Sequence, residues 1–421
     1  MMTRLLFSAR FHRSGLRPVL VAFSILAGLA VLHASDWREW RGASRDGTSA
    51  ETNLPSSWSP SGENVAWTLP FGGRSTPVVF GNRLYLQTST TGDVSRTQER
   101  LVAVDVDTGR VVWEHAFNIY LSDVPQHRTG WASPAIDPDT GNVIVFTVGA
   151  ELAALAPDGR VLWTRSLPEE YGAITTHGGR TTSPIIEGDL VILNTLLMGW
   201  GDLARPGNRY FAFDKRTGQT VWISSPQSKH YDTNYASPIV QTIDGQRLLI
   251  VGGTDGTFHA MQVSTGKPVW SLEVSKRAIL NGAVFHDGTL FISHGEENID
   301  TTEMGMVAAV DPRGTGALGG AALKWKTLGF LPTFASPVVD GQRLYSVDNG
   351  AVLAAFDLAN GTRLWSRQLG TLMKGSPRCW WAEADLRRRG ERQVLHPPAD
   401  GDRRGRHRRR TRLDAGGQPG P

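Results

Sequence analysis

The residues able to do chemistry fall into two sets. The first is acidic. Glu296, Glu297 and Asp300, with Asn298 among them, follow the apolar run FISHG. Carboxylate and amide oxygens are the ligands that calcium takes. Their spacing fits no fixed ligand pattern, and a solvated loop is the competing reading. The second set is polar and partly cationic: His127, Arg128, His177, Arg180, Lys229, His230, Asn234 and Asn281. Most stand shortly before a Ser-Pro pair, in PQHRTGWASP, TTHGGRTTSP and KHYDTNYASP. They could line a funnel that receives a ligand, or they could cap strand ends and satisfy backbone groups. No Gly-x-Ser-x-Gly, His-Glu-x-x-His, Walker or dinucleotide-binding motif occurs, and no Cys/His cluster points to zinc. These residue types point to binding ahead of catalysis, with no catalytic residue assigned.

The elements that must position these side chains repeat along the chain. ERLVAVDVDTGRVVW ends at Trp113, GAELAALAPDGRVLW at Trp163 and NRYFAFDKRTGQTVW at Trp222. GTFHAMQVSTGKPVW ends at Trp270 and GAVLAAFDLANGTRLW at Trp365, with a diverged copy at Trp325 and a half-copy at Trp67. Each unit opens on Ser-Pro or Thr-Pro, continues into an alternating run such as GNRLYL or DGQRLLIV, and passes through Asp-x-x-Thr-Gly to the Trp. Period-2 alternation with β-branched residues reads as strands, and the Gly-bearing pairs supply tight turns. Four strands per unit, repeated, is the pattern of a β-propeller blade. The expected fold is all-β: a propeller of four-stranded blades with a seven-bladed parent, eight being the alternative, and an incomplete last blade. The tryptophans are expected to hold blade against blade. The Trp67 segment, which lacks its own inner strands, is expected to pair with C-terminal strands and close the ring. Residues just before an innermost strand should face the channel mouth.

The pattern SP…DGxLY…LxAxDxxTGxxxW resembles the PQQ-like (pyrroloquinoline-quinone-like) β-propeller repeat family, over about residues 37–377. That family includes quinoprotein alcohol dehydrogenases, the propeller lipoprotein of the outer-membrane β-barrel assembly machinery, and many secreted propellers. Trp37, Arg41, Gly42, Arg45, Asp46 and Gly47 resemble the W-x-x-x-R-G-x-x-R-D-G opening of the secreted group. The resemblance implies three functions. The first is a ligand- or protein-binding scaffold that is not a catalyst. The second is a PQQ- and calcium-dependent dehydrogenase, and the third an outer-membrane assembly scaffold. In the dehydrogenases the quinone lies over the central channel with calcium and often a pair of adjacent cysteines. This chain has one cysteine, Cys379, so PQQ and calcium are expected only under the second reading.

Four segments are expected. Residues 1–34 read as a signal peptide: Arg4, Arg10, Arg13 and Arg17 precede an apolar run over residues 19–32, and Leu32-His33-Ala34 suits cleavage. An uncleaved anchor is the alternative, although the run is short for a span of ~20 residues. Residues 35–62 form a leading segment and 63–377 the propeller. The protein is expected to be periplasmic or secreted and monomeric, with a small ligand or an envelope protein as partner. Residues 378–421 form a basic tail with 12 arginines against 6 acidic residues, which supplies the chain's whole net charge of +4. Its arginine runs invite a nucleic-acid reading, but a frameshift explains them better. The codons of DLRRRGERQVLHPP, read one nucleotide later, can spell IYVGGENGKFYILR, the strands that a further blade needs. The tail is therefore expected to be disordered, with no strands from about Arg378 onward and no nucleic-acid partner.

Overall fold

The Asp-x-x-Thr-Gly segment is a turn that closes on itself. Asp105 Oδ1 accepts the hydroxyl of Thr108 at 2.7 Å and its amide at 3.0 Å, and Gly109 donates its amide to the Asp105 carbonyl at 2.9 Å. The Thr108 hydroxyl and amide hold the Asp105 carboxyl below the ordinary aspartate range. Asp214, Thr217 and Gly218 repeat the arrangement. Gly109 and Gly218 have φ of +69° and +71°, a region that glycine enters without steric cost.

These turns join the third and fourth strands of successive sheets. In the computed structural model the described residues are 36–51, 54–55, 57–59, 62–90, 96–119, 124, 128–174, 179–197, 207–226, 236–371, 376, 378–380 and 394–395. The first blade comprises Val78–Phe80, Arg83–Ser89, Glu99–Asp105 and Val111–Phe117. The second comprises Ala135–Ile136, Val143–Phe146, Glu151–Leu155 and Val161–Ser166. The third is Ile185–Glu187, Leu190–Leu197, Gly207–Asp214 and Thr220–Ser224; the fourth is Ile239–Ile243, Gln246–Gly252, Thr257–Gln262 and Pro268–Glu273. The fifth is Val284–His286, Thr289–Glu297, Met304–Val310 and Leu323–Leu328; the sixth is Val338–Asp340, Arg343–Val347, Val352–Asp357 and Arg363–Gln368. Each is an antiparallel meander. The first strands of neighbouring blades lie side by side, so they are the innermost. The fold is a β-propeller.

In all six blades an alanine faces the Trp of the outer strand: Ala103, Ala154, Ala212, Ala260, Ala309 and Ala355. A bulge follows each of these alanines. The small residue leaves room for the indole, and the bulge adds local twist. The core lies between blades. Ile144, Phe146 and Leu152 of the second blade pack with Val191, Phe211 and Phe213 of the third, all fully buried.

Five of the tryptophans reach the turn of the next blade. The indole N–H of Trp67 donates to Val106 O at 2.7 Å, Trp113 to Pro157 O at 2.9 Å and Trp163 to Lys215 O at 3.1 Å. Trp222 donates to Val263 O at 2.9 Å and Trp325 to Leu358 O at 3.0 Å. The ring lies on the turn glycine, where a Cβ at Gly109 would stand 2.5 Å from Trp67. Trp67 therefore occupies the outer-strand place of a blade preceding the first. It does so from an irregular segment that pairs with no strand among the described residues.

A second contact runs round the inner strands. Ser133 Oγ accepts the amide of Thr76 at 2.8 Å, and Ser183 Oγ accepts that of Ser133 at 2.9 Å. Ser336 Oγ accepts Gly282 at 2.8 Å, and Ser376 Oγ accepts Ser336 at 2.9 Å. Four serines of the Ser-Pro pairs thus form a belt, each taking a main-chain donor from the blade before. Beyond Ser376 a seventh, three-stranded sheet begins. Arg378–Trp380 pairs in parallel with Thr48–Ser49 and antiparallel with Val394–Leu395. The stretch from Arg378 onward therefore contains short strands, where the sequence predicts none.

Candidate functional site

The leading segment runs through the space that the inner strands enclose. Trp37 exchanges main-chain bonds with Val79 of the first blade at 2.8 and 2.9 Å, and Arg38 O accepts the amide of Ile136 of the second at 2.8 Å. Arg45 reaches the third blade, donating to Ile186 O at 2.7 Å and Glu187 Oε2 at 2.9 Å. Arg41 donates to Pro337 O of the sixth at 2.5 Å. Four inner strands thus hold one segment.

Two of its charges, Glu39 and Arg45, are paired inside the protein. Arg45 bridges Glu39 at 3.2 Å and Glu187 at 2.9 Å, and Arg247 of the fourth blade closes on Glu187 at 2.6 Å. Burial pushes the Glu39 carboxyl up to about 7 against the pull of Arg45. Glu187, less deeply buried and held by two guanidiniums, lies below the ordinary glutamate range.

The mouth is the end where the Ser-Pro pairs begin. Of the predicted residues there, Arg128, Arg180 and Asn281 are described; His127, His177, Lys229, His230 and Asn234 lie outside the described residues. Arg180 lies over the ring of Trp131, with its guanidinium carbon 5.5 Å from the centroid, and Arg74 approaches the same ring at 6.0 Å. An indole between two guanidiniums is a cation–π arrangement. It places two positive charges beside one apolar surface. Arg128 is half-buried in the same loop as Trp131. Asn281 is buried and donates to Pro332 O and to Ser293 Oγ at 3.1 Å, which ties the fifth blade to the sixth.

Glu99 anchors the loop that carries Trp131. It is fully buried and accepts Gln87 Nε2 at 2.5 Å, the Gly130 amide at 2.9 Å and the Val148 amide at 2.6 Å. Burial pushes its carboxyl up to about 7, and the three donors pull the other way. Arg74 and Trp131 were absent from the predicted set. Their signal was positional: each stands three residues before a proline, Pro77 and Pro134.

The acidic set does not converge. Asp300 pairs with Lys326, and the Glu296 amide donates to His294 Nδ1 at 3.3 Å. Glu297 uses its carbonyl for Lys276 and Ser275, and Asn298 Nδ2 donates to Glu303 O at 2.6 Å. Among the described residues no three His, Cys, Asp or Glu side chains gather as a metal site. Calcium would need several such oxygens on one point. This arrangement does not fit it, and neither do the channel carboxylates, which arginines already hold.

The PQQ-repeat family model described as outer membrane protein assembly factor BamB matches residues 48–191 and 97–367. The chain belongs to that family. It is 24% identical over 305 residues to the outer membrane protein assembly factor BamB of Burkholderia pseudomallei, covering 71% of this chain and 68% of that protein. It is 25% identical over 268 residues to a polyvinylalcohol dehydrogenase of Sphingopyxis, covering 55% of this chain but only 39% of that protein. The crystal structure of BamB from Moraxella catarrhalis superposes with a TM-score of 0.46 at 16% identity, over 71% of this chain and 77% of that one.

Proposed function

We propose that this protein is an exported propeller that serves as a binding scaffold in the cell envelope and does not catalyse a reaction. The observation that carries this reading is the filled channel. The leading segment occupies the axis, and Glu39, Arg45, Glu187 and Arg247 satisfy one another there. Among the described residues no three His, Cys, Asp or Glu side chains gather to hold the calcium that accompanies a quinone over the channel. Among the described residues the mouth offers a surface to a partner, where Arg74, Trp131 and Arg180 suit an acidic segment of a protein. Export is supported by the basic and apolar run of residues 1–34. Among the described residues no helix is long and apolar enough to cross a membrane.

Two measurements test the reading. Dye-linked oxidation of alcohols, with added PQQ and calcium, should stay at background; turnover would replace the scaffold with an enzyme. Cross-linking in envelope extracts should recover a partner with the natural protein. The paired reversal Arg74→Glu and Arg180→Glu should lose that partner while the melting temperature holds. Retention of the partner would move the binding surface away from the mouth.

A further inference from the structure

Asparagine followed by glycine is a reactive pair. The main-chain nitrogen of the glycine can attack the asparagine Cγ, because no glycine side chain hinders the approach. Ammonia leaves and a five-membered succinimide closes. Water then opens either carbonyl of that ring. One opening gives aspartate, and the other gives isoaspartate, with the main chain routed through the side-chain methylene. The chain contains three such pairs: Asn281-Gly282, Asn349-Gly350 and Asn360-Gly361.

The fold holds two of them back. Asn281 is buried, and its side-chain amide donates to Pro332 O and to Ser293 Oγ at 3.1 Å. The Gly282 nitrogen that would attack it donates to Ser336 Oγ at 2.8 Å. Asn349 is half-buried. Its side-chain amide donates to Thr333 Oγ1 at 2.8 Å and its main-chain amide to Leu331 O at 3.1 Å. Its side chain must give up that bond before it can meet Gly350.

Asn360 is exposed, and its side-chain nitrogen donates to no described residue. Its Oδ1 accepts the Thr362 amide at 2.9 Å. That N–H stands where negative charge collects when Cγ is attacked, and a donor so placed lowers the barrier. One bond resists. Gly361 donates its amide to Asp357 O at 2.9 Å, so attack follows a local opening of this surface turn.

The pair sits in the contact between blades. Equivalent turns carry Thr-Gly at Gly109, Gly218 and Gly266, and a threonine side chain cannot close the ring. The second blade carries Asp158-Gly159, whose carboxylate is a poorer electrophile than an amide. Gly361 has φ +76° and lies under the Trp325 ring. The indole of Trp325 donates to Leu358 O at 3.0 Å, and Thr327 Oγ1 donates to Gly361 O at 2.6 Å. An isoaspartate adds one atom to the main chain just before Gly361. The glycine and its carbonyl then no longer fit beneath Trp325 and Thr327.

We propose that Asn360 is a site of spontaneous deamidation, with water consumed and ammonia released, and that its isoaspartate form loosens the contact between the fifth and sixth blades. This modification site stands apart from the scaffold reading and does not depend on it.

The test incubates the full-length protein at pH 8 and follows each site by tryptic mass spectrometry. The peptide over residues 344–363 holds both Asn349 and Asn360, so fragmentation compares them in one molecule, and the peptide over 278–313 carries Asn281. Asn360 should convert about tenfold faster than Asn349, with Asn281 slower still. In urea the three rates should converge. The isoaspartate fraction, separated by ion exchange, should melt several degrees below fresh protein. Asn360→Asp adds the same charge without rerouting the main chain and should melt close to the natural protein. Asn360→Thr, which restores the residue of the other turns, should keep its melting temperature through the incubation. Equal rates at Asn349 and Asn360 in the folded protein, or an order of rates unchanged in urea, overturns the site. A melting loss in Asn360→Asp as large as that of the isoaspartate fraction overturns the loosened contact.

Discussion

Glu39 is the side chain on which the channel is most sensitive to pH. Its buried carboxyl, raised from 4.5 to about 7, holds a proton more tightly in the folded state than in the unfolded one. Between these values the native protein binds more protons, so stability falls as pH rises through that window. Glu99, also raised to about 7, acts in the same direction. His294, lowered by burial to about 4, acts in the opposite one, because its unfolded form gains a proton first as pH falls. Glu39→Gln removes one of these titrations. Its melting temperature should fall less than the natural protein's between pH 5 and pH 8 at fixed ionic strength, and parallel curves would show that Glu39 does not titrate there. Arg45→Ala is a harsher change. It strips Glu39 of its partner and leaves Glu187 to Arg247 alone, and should cost about 3 kcal/mol in urea unfolding.

At the scale of elements, the repeat states its own packing rule. The glycine of each Asp-x-x-Thr-Gly turn must be both left-handed and bare, because a tryptophan lies on it. Gly218 has φ +71°, and a Cβ there would stand 2.7 Å from Trp163. Gly188 has φ +59° with nothing within 4 Å. Gly188→Ala should therefore cost only the backbone term, about 1 kcal/mol, whereas Gly218→Ala should cost about 3 kcal/mol. Equal losses in denaturant midpoint would remove the interblade lock as the reason. This level was legible in the sequence, because the alanine opposite each Trp, the turn and the Trp recur locally at fixed spacing. The serine belt was half legible: the Ser-Pro pairs were visible, but their partners lie in other blades. The channel filling was not legible. Trp37 to Gly47 stood out as a motif, yet nothing local says that Arg45 meets Glu187 or that Arg41 meets Pro337. The mouth was legible only in part, since histidines drew the eye while Arg74 and Trp131 stand at an equivalent place before the proline.

For the whole molecule the open question is closure. Six blades are complete, and the described residues of the seventh are an inner strand, Val394–Leu395 and an outer tryptophan. An unpaired strand edge promotes self-association. We propose that the chain is divided as the repeat implies, into a leader over residues 1–34, a leading segment over 35–62, a propeller over 63–377 and a tail over 378–421. A version whose tail is replaced from Arg378 by an IYVGGENGKFYILR-like segment, followed by a turn, should melt several degrees higher and remain in solution at higher concentration. Identical melting and solubility would mean that the natural tail already completes the blade.

The bond from Arg41 to Pro337 spans 296 residues. It makes an early part of the chain wait for a late one. Synthesis delivers Trp37 to Gly47 before any blade exists, and the carbonyl that Arg41 needs appears only with the sixth. Blades can form one after another from short-range pairings, but the thread through their centre is fixed only when the ring has come round to it. Assembly should therefore show a fast phase of strand formation and a slower one of threading. A chain that must cross a membrane before it folds would gain from that delay, because its N-terminal end stays available to the export machinery until the rest has followed.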